Sequence, residues 1–176
     1  MKIAVLGAGG WGTTLSILLN ENGHNVTLWE FNTEYAKTLA EYRENFYYLP
    51  KIKIPVSIEI TNDPELAVHN KDVIIIATPT QFIRKSLSLL NNYNFKNSIL
   101  VSVSKGIEIG TSMLVSDVLS DIFKKVKRKN ILCLSGPSHA EEVSRKIPTA
   151  VVCAGENKAN TNIVQNIFSN EYFRVY

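Results

Sequence analysis

Four of the nine glycines fall within six positions, Gly7-Ala8-Gly9-Gly10-Trp11-Gly12, between a short apolar run and a helical pattern. Glycines in this context act by what they lack. Gly7 permits a tight turn, Gly9 lets backbone approach a diphosphate, and Gly12 lets helix and strand pack closely, while the helix start offers free N–H groups to an anion. Glu30 stands eighteen residues beyond Gly12, at the end of the next strand pattern. A carboxylate there can accept hydrogen bonds from the ribose hydroxyls of a dinucleotide. Since Phe31 and Asn32 bring no cation to offset a 2′-phosphate, the chemistry favours NAD(H), with NADP(H) the second choice. Two further positions could act on a small ligand. Lys105, before Gly106, sets a primary amine at a sheet edge, where it could stabilise negative charge growing on an oxygen; by itself it reads more readily as a solvated loop charge. Gly136-Pro137-Ser138 precedes Glu141 and Glu142, so Ser138 is expected to N-cap a helix in a capping box with Glu141. His139 is expected to face solvent and is left out of the catalytic set.

These groups need a scaffold. Short β-branched runs at residues 2–6, 25–29, 72–77, 98–103, 130–134, 149–154 and 172–175 alternate with helical patterns at 11–22, 33–45, 81–90, 111–124, 138–144 and 158–168. Asp63-Pro64-Glu65 marks one more short helix, with an N-cap and a first-turn proline. Such alternation predicts an α/β, doubly wound, Rossmann-like, mostly parallel sheet with helices on both faces. The run Val73-Ile74-Ile75-Ile76 is expected to be buried on both sides, and Gly23 to close the first helix in a left-handed conformation. Residues 44–60, with Pro50, Pro55 and clustered aromatics, interrupt the alternation and read as a long surface loop.

Composition narrows the function classes. A chain of 176 residues with 19 Lys and Arg against 16 Asp and Glu carries a net charge of +3, too little to imply capture of nucleic acid. The basic run at 124–129 lies at an expected helix end, without interleaved aromatics, and reads as a solvated terminus. No apolar run is long enough to span a membrane, and the apolar start is too short for a signal peptide, so a cytoplasmic protein is expected. Cys133 and Cys153 match no metal or redox spacing and are expected to be reduced, buried thiols; no metal is expected.

Five motifs in order resemble the NAD(P)-dependent glycerol-3-phosphate dehydrogenases, most closely the bacterial type: residues 7–13, Tyr48-Leu49-Pro50, Ser104-Lys105-Gly106-Ile107-Glu108, residues 134–142 and Phe173-Arg174-Val175-Tyr176. The resemblance implies interconversion of dihydroxyacetone phosphate and sn-glycerol 3-phosphate with a nicotinamide coenzyme, at the entry to glycerophospholipid synthesis. It would place Gly10, Trp11 and Gly12 on the pyrophosphate, Phe31, Asn32, Tyr48 and Phe82 around the coenzyme, and Ala140 near the nicotinamide end. It makes Lys105 a catalytic and binding residue, with Gly136 and Ser138 on substrate. Phe82 as core filler, Tyr48 as a packed loop aromatic and Gly136-Ser138 as a plain cap are the competing readings. Two departures stand out: Gly10 replaces a frequent serine, which should be mild, and Asn32 replaces an arginine that often supports NADPH. Residues 1–176 would be the NAD-binding domain of a truncated chain. A helical substrate domain carrying the principal catalytic lysine would lie beyond it, the fragment alone would be inactive, and the longer protein would be a homodimer. An NADH-binding redox sensor, or a related dehydrogenase of another small hydroxy or keto acid, would share the glycine turn.

Overall fold

Runs of β-branched residues flanked by turn formers become strands, and the apolar stripes between them become helices that cover those strands. The computed structural model describes residues 1–95 and 98–176. In chain order the elements are β1 (Lys2–Leu6), α1 (Gly10–Glu21), β2 (Asn25–Trp29), α2 (Thr33–Tyr42), β3 (Glu44–Asn45), β4 (Leu49–Lys53) and β5 (Glu59–Thr61). There follow α3 (Pro64–Val68), β6 (Val73–Ile76), α4 (Ile83–Leu87), β7 (Ile99–Ser102), α5 (Val115–Ile122), β8 (Ile131–Ser135), α6 (Ala140–Ser144), β9 (Thr149–Ala154), α7 (Lys158–Phe168) and β10 (Phe173–Val175).

One eight-stranded sheet runs β10-β9-β8-β7-β6-β1-β2-β5. All neighbours are parallel except β8 and β9, so the doubly wound expectation holds with one reversal near an edge. One face carries Leu15, Leu18 and Leu19 of α1, Leu39 of α2, Val143 of α6 and Phe168 of α7. The other carries Ala67 and Val68 of α3, Ile83 and Leu87 of α4, and Val118 and Leu119 of α5. Between these layers β6 is buried along its whole length, as a strand covered on both faces must be. Gly23 takes φ +82° just past α1, and Asp63 caps α3 by accepting from the backbone N–H groups of Glu65 and Leu66.

Several local expectations are corrected. Residues 44–60 are not a loop throughout: β3 and β4 pair as an antiparallel ribbon, and β5, starting at Glu59, adds a parallel edge strand beside β2. Arg43 adopts φ +52° and donates its N–H to the Leu39 carbonyl, which ends α2 at Tyr42 and leaves Asn45 to the ribbon. The helix expected at 111–124 spans only Val115–Ile122, because Ser112 has φ +57° and Leu114 bridges back to Ile107. At 81–90, two 3-10 turns flank the five residues of α4. Ser138 is not the cap of α6; His139 occupies that position without a side-chain cap bond, and the Ser138 hydroxyl donates back to the Gly136 carbonyl at 3.3 Å. Cys133 is only half buried, unlike Cys153.

Candidate functional site

Chain directions diverge at the carboxyl edge of β1: its own connection passes through α1 to β2, while its other neighbour, β6, continues to α4. Open α/β sheets bind ligands in the crevice this creates. There a cleft of about 850 Å³ is lined by residues 7–11, Trp29, Glu30, Phe31, Asn32, Tyr35, Tyr47, Tyr48, Ala77, Thr78, Pro79, Phe82, Lys85 and Ser86. The glycine turn forms its floor. Gly7 has φ +117°, and an added Cβ would lie 2.9 Å from the Thr78 backbone nitrogen; a Cβ on Gly12 would overlap the Gly7 carbonyl oxygen. At Gly9 nothing lies within 4 Å of where a Cβ would stand, so the turn is open on the side where an anion must approach. Thr13 donates its N–H to the Gly9 carbonyl at 2.9 Å, so the amides of Gly10, Trp11 and Gly12 precede the helical ladder of the twelve-residue α1.

At the far end, Glu30 is oriented by the backbone N–H of Asn32, which donates to its carboxylate at 2.9 Å. Asn32 in turn caps α2, its side-chain oxygen accepting from the Tyr35 N–H. Phe31 lies edge-on to Trp29, with ring centroids 6.0 Å apart, and stays half exposed. Phe82 is 58% exposed on the opposite wall, which removes the core-filler reading. Tyr48 meets Tyr35 edge-on at a centroid distance of 6.0 Å, and Tyr47 lies tilted against it at 5.4 Å. Trp11 borders the cleft but leans on the core, 6.3 Å from the ring of Phe173.

A smaller cleft of about 260 Å³ shares Trp11, Ala77, Thr78 and Pro79 with the first and adds Val103, Ser104, Lys105, Ser138, His139 and Ala140. Lys105 Nζ donates to the Ser138 carbonyl at 3.1 Å and to the Gly136 carbonyl at 3.4 Å. The candidate amine and the glycine-proline-serine turn therefore meet, although 31 residues of chain separate Lys105 from Gly136. Gly136 also has a packing reason to be glycine, since a Cβ would come 2.9 Å from Val151 Cα. Ala140 ties the smaller cleft to α1: its carbonyl accepts from the Thr14 hydroxyl at 3.2 Å. His139 is exposed, as expected. The Lys105 loop is braced from α4 and its preceding turn. Thr80 donates to the Lys105 carbonyl, Gln81 pairs with the backbone of Ile107 and Ile109, and Arg84 donates to the Glu108 carboxylate at 2.7 Å. That guanidinium first, and the Thr111 hydroxyl second, hold the Glu108 carboxyl below its ordinary range.

The Gly10 departure is less mild than expected, because a Cβ there would stand 2.5 Å from the Tyr48 carbonyl oxygen, so the ribbon sits directly on the first residue of α1. Sequence reading passed over Tyr35, Tyr47, Lys85 and Asn45. Tyr47 could have been found from its neighbour Tyr48 and Lys85 from its helical spacing to Phe82, but Asn45 carries no local signal.

A family model described as the N-terminus of NAD-dependent glycerol-3-phosphate dehydrogenase matches residues 2–161. Glycerol-3-phosphate dehydrogenase (NAD(P)+) of Fusobacterium nucleatum is 43% identical over 176 residues, all of this chain and 52% of that protein. The protein of the same description from Bacillus velezensis is 43% identical over 175 residues, 99% of this chain and 51% of the relative. Among solved structures, glycerol-3-phosphate dehydrogenase from Coxiella burnetii superposes with a TM-score of 0.91 at 27% identity, covering 99% of this chain and 53% of that one. The chain thus spans about half the length of the curated relatives it matches.

Proposed function

Because the chain belongs to the NAD-dependent glycerol-3-phosphate dehydrogenase family, we propose that it is the coenzyme-binding part of an oxidoreductase interconverting dihydroxyacetone phosphate and sn-glycerol 3-phosphate. The observation that carries this reading is the junction of the two clefts, which share Trp11, Ala77, Thr78 and Pro79. A turn open at Gly9 fits a diphosphate, and a carboxylate at Glu30 fits ribose hydroxyls, so the residues present suit NAD(H), with NADP(H) the second coenzyme. When bound, the nicotinamide supplies or accepts the hydride. The chain's own part is to grip the diphosphate with the α1 amides, to orient the ribose with Glu30 and Asn32, and to enclose the coenzyme between Phe31, Phe82 and Tyr48. Lys105 holds a positive charge where a carbonyl oxygen becomes negative during reduction, and Gly136 and Ser138 border the substrate.

One side of a ketone-reducing site is accounted for in this way. A proton donor and a phosphate clamp belong to the other side, which we assign to a helical second domain in the longer protein, together with homodimer formation. Among the described residues no helix is long and apolar enough to cross a membrane; a cytoplasmic site at the entry to glycerophospholipid synthesis is part of the same proposal.

The test has two steps. Fluorescence titration of the 176-residue chain should show saturable NADH binding without turnover, and the longer protein should oxidise NADH with dihydroxyacetone phosphate in preference to a panel of small keto acids. A chain that binds no NADH would sink the coenzyme reading, a keto-acid preference would move the substrate, and turnover by residues 1–176 alone would refute the division of labour.

A further inference from the structure

Asn45 has 0% exposure, and the glycine turn, α1 and α2 converge on its amide together with Tyr48 of its own ribbon. Nδ2 donates to the Ala8 carbonyl in the glycine turn and to the Thr13 hydroxyl on α1, both at 2.8 Å. Oδ1 accepts from the Tyr35 hydroxyl of α2 at 2.5 Å and from the Tyr48 N–H of the ribbon at 3.0 Å. Two donors and two lone pairs are all that an asparagine side chain possesses, and all four are used. Its orientation is not arbitrary: Ala8 O can only accept and Tyr48 N–H can only donate, so a flipped amide would lose both bonds. Burial pushes the Tyr35 phenol up, which keeps it protonated as the donor. The ribbon that Asn45 anchors places the Tyr48 carbonyl against Gly10, the first residue of α1.

A fully satisfied buried network of this kind rigidifies what it joins. We infer that Asn45 is a positioning residue for coenzyme binding: it locks the glycine turn, the first turn of α1 and the aromatic ribbon into one unit, so that the α1 amides are preorganised for a diphosphate. This rests on the coenzyme reading above. Aspartate at 45 keeps the size and both acceptors but turns an oxygen toward the Ala8 carbonyl, where a donor is required. Alanine removes the network altogether. Tyr35→Phe removes one bond without leaving a cavity and is the gentler variant.

The experiment measures dissociation constants for NADH, ADP and AMP on the 176-residue chain and on Asn45→Asp, Asn45→Ala and Tyr35→Phe. All titrations are run well below the apo melting temperature of each protein. Loss of preorganised donors should weaken NADH by about tenfold or more in the Asn45 variants. The decisive readout is the preference for ADP over AMP, because only a diphosphate uses the whole turn: it should collapse toward parity in the Asn45 variants and fall by roughly threefold in Tyr35→Phe. A lowered melting temperature with an unchanged ADP-to-AMP preference would mean a structural role alone and overturn the inference. If the Asn45 variants do not fold, an unchanged preference in Tyr35→Phe overturns it equally. Failure of the unsubstituted chain to bind NADH or ADP would overturn this inference and the coenzyme reading together, whereas unaltered binding by the variants would overturn this inference only.

Discussion

Glu30 illustrates what one side chain decides at this site. It directly follows β2, it is oriented by the Asn32 N–H at 2.9 Å, and that same asparagine brings no cation to offset a 2′-phosphate. Lys85, on the opposite wall of the cleft, is a cation that reading along the chain did not connect to this position. Replacing Glu30 with alanine should weaken NADH by roughly tenfold, the worth of a charge-assisted hydrogen bond. NADPH should be affected less or bind better, because a like charge is removed from the path of its 2′-phosphate. Parallel titrations of the two coenzymes check this, and an unchanged ratio would mean that Glu30 does not read the ribose. The glycines and Glu30 were legible in the sequence because their chemistry depends on backbone shape and on distance along the chain. Asn45, Tyr35 and Lys85 were not, since what matters about them is which distant segment they face.

Elements turn such residues into a site, and the loop after β7 is the clearest case. Lys105 lies in a segment with little regular structure, yet that segment is held by Thr80, Gln81 and Arg84 from α4 and the turn before it, on the neighbouring connection after β6. Arg84 bridges Glu108 and Asp121, and Glu108 also accepts from Thr111 at 2.6 Å. Glu108→Ala should therefore loosen this loop more than it unfolds the protein. Amide hydrogen exchange at residues 105–114 is expected to quicken by roughly tenfold, with little change elsewhere. In the unsubstituted chain, the folded carboxyl of Glu108 titrates below its unfolded value, so the contribution of the brace is full above the ordinary carboxylate range. It is lost only as pH falls through the lowered folded value, and the same exchange experiment run toward acid should show the loop opening there rather than near neutrality. The periodicity at 111–124 suggested a longer helix than forms, because Thr111 donates to Glu108, which Arg84 holds from α4, and the left-handed Ser112 breaks the helical backbone at its start. Ser138, read as a cap, instead turns its hydroxyl to the Gly136 carbonyl two residues back, and His139 takes the cap position.

At the scale of the whole molecule, the sheet separates two apolar layers and also separates the two thiols. Cys133 is in register with Ala154 and Cys153 with Leu134, so successive-residue alternation points the two sulfurs to opposite faces. Burial first, and the neighbouring Cys133 second, push the Cys153 thiol up to about 11, and burial also raises Cys133. Both are therefore expected to stay protonated at pH 8 and to react slowly with a thiol reagent, Cys133 ahead of Cys153. Denaturant should release both, and mild oxidation should yield no internal disulfide. The favoured neutral forms stabilise the fold below the unfolded thiol range, and this contribution fades as pH climbs toward the raised folded values. Rapid labelling of the native chain would contradict the burial described. From its residues alone, this chain specified a doubly wound sheet, a glycine turn at the start of its first helix and the type of nearly every long element, because periodicity, glycine spacing and capping act over a few residues of backbone. Only the tertiary structure decided that residues 44–53 form a ribbon on α1, that Asn45 ties it to the glycine turn, and that Lys105 meets Gly136 and Ser138. Those relations depend on which surfaces the sheet brings together across 30 or more residues, a distance over which no local pattern carries information.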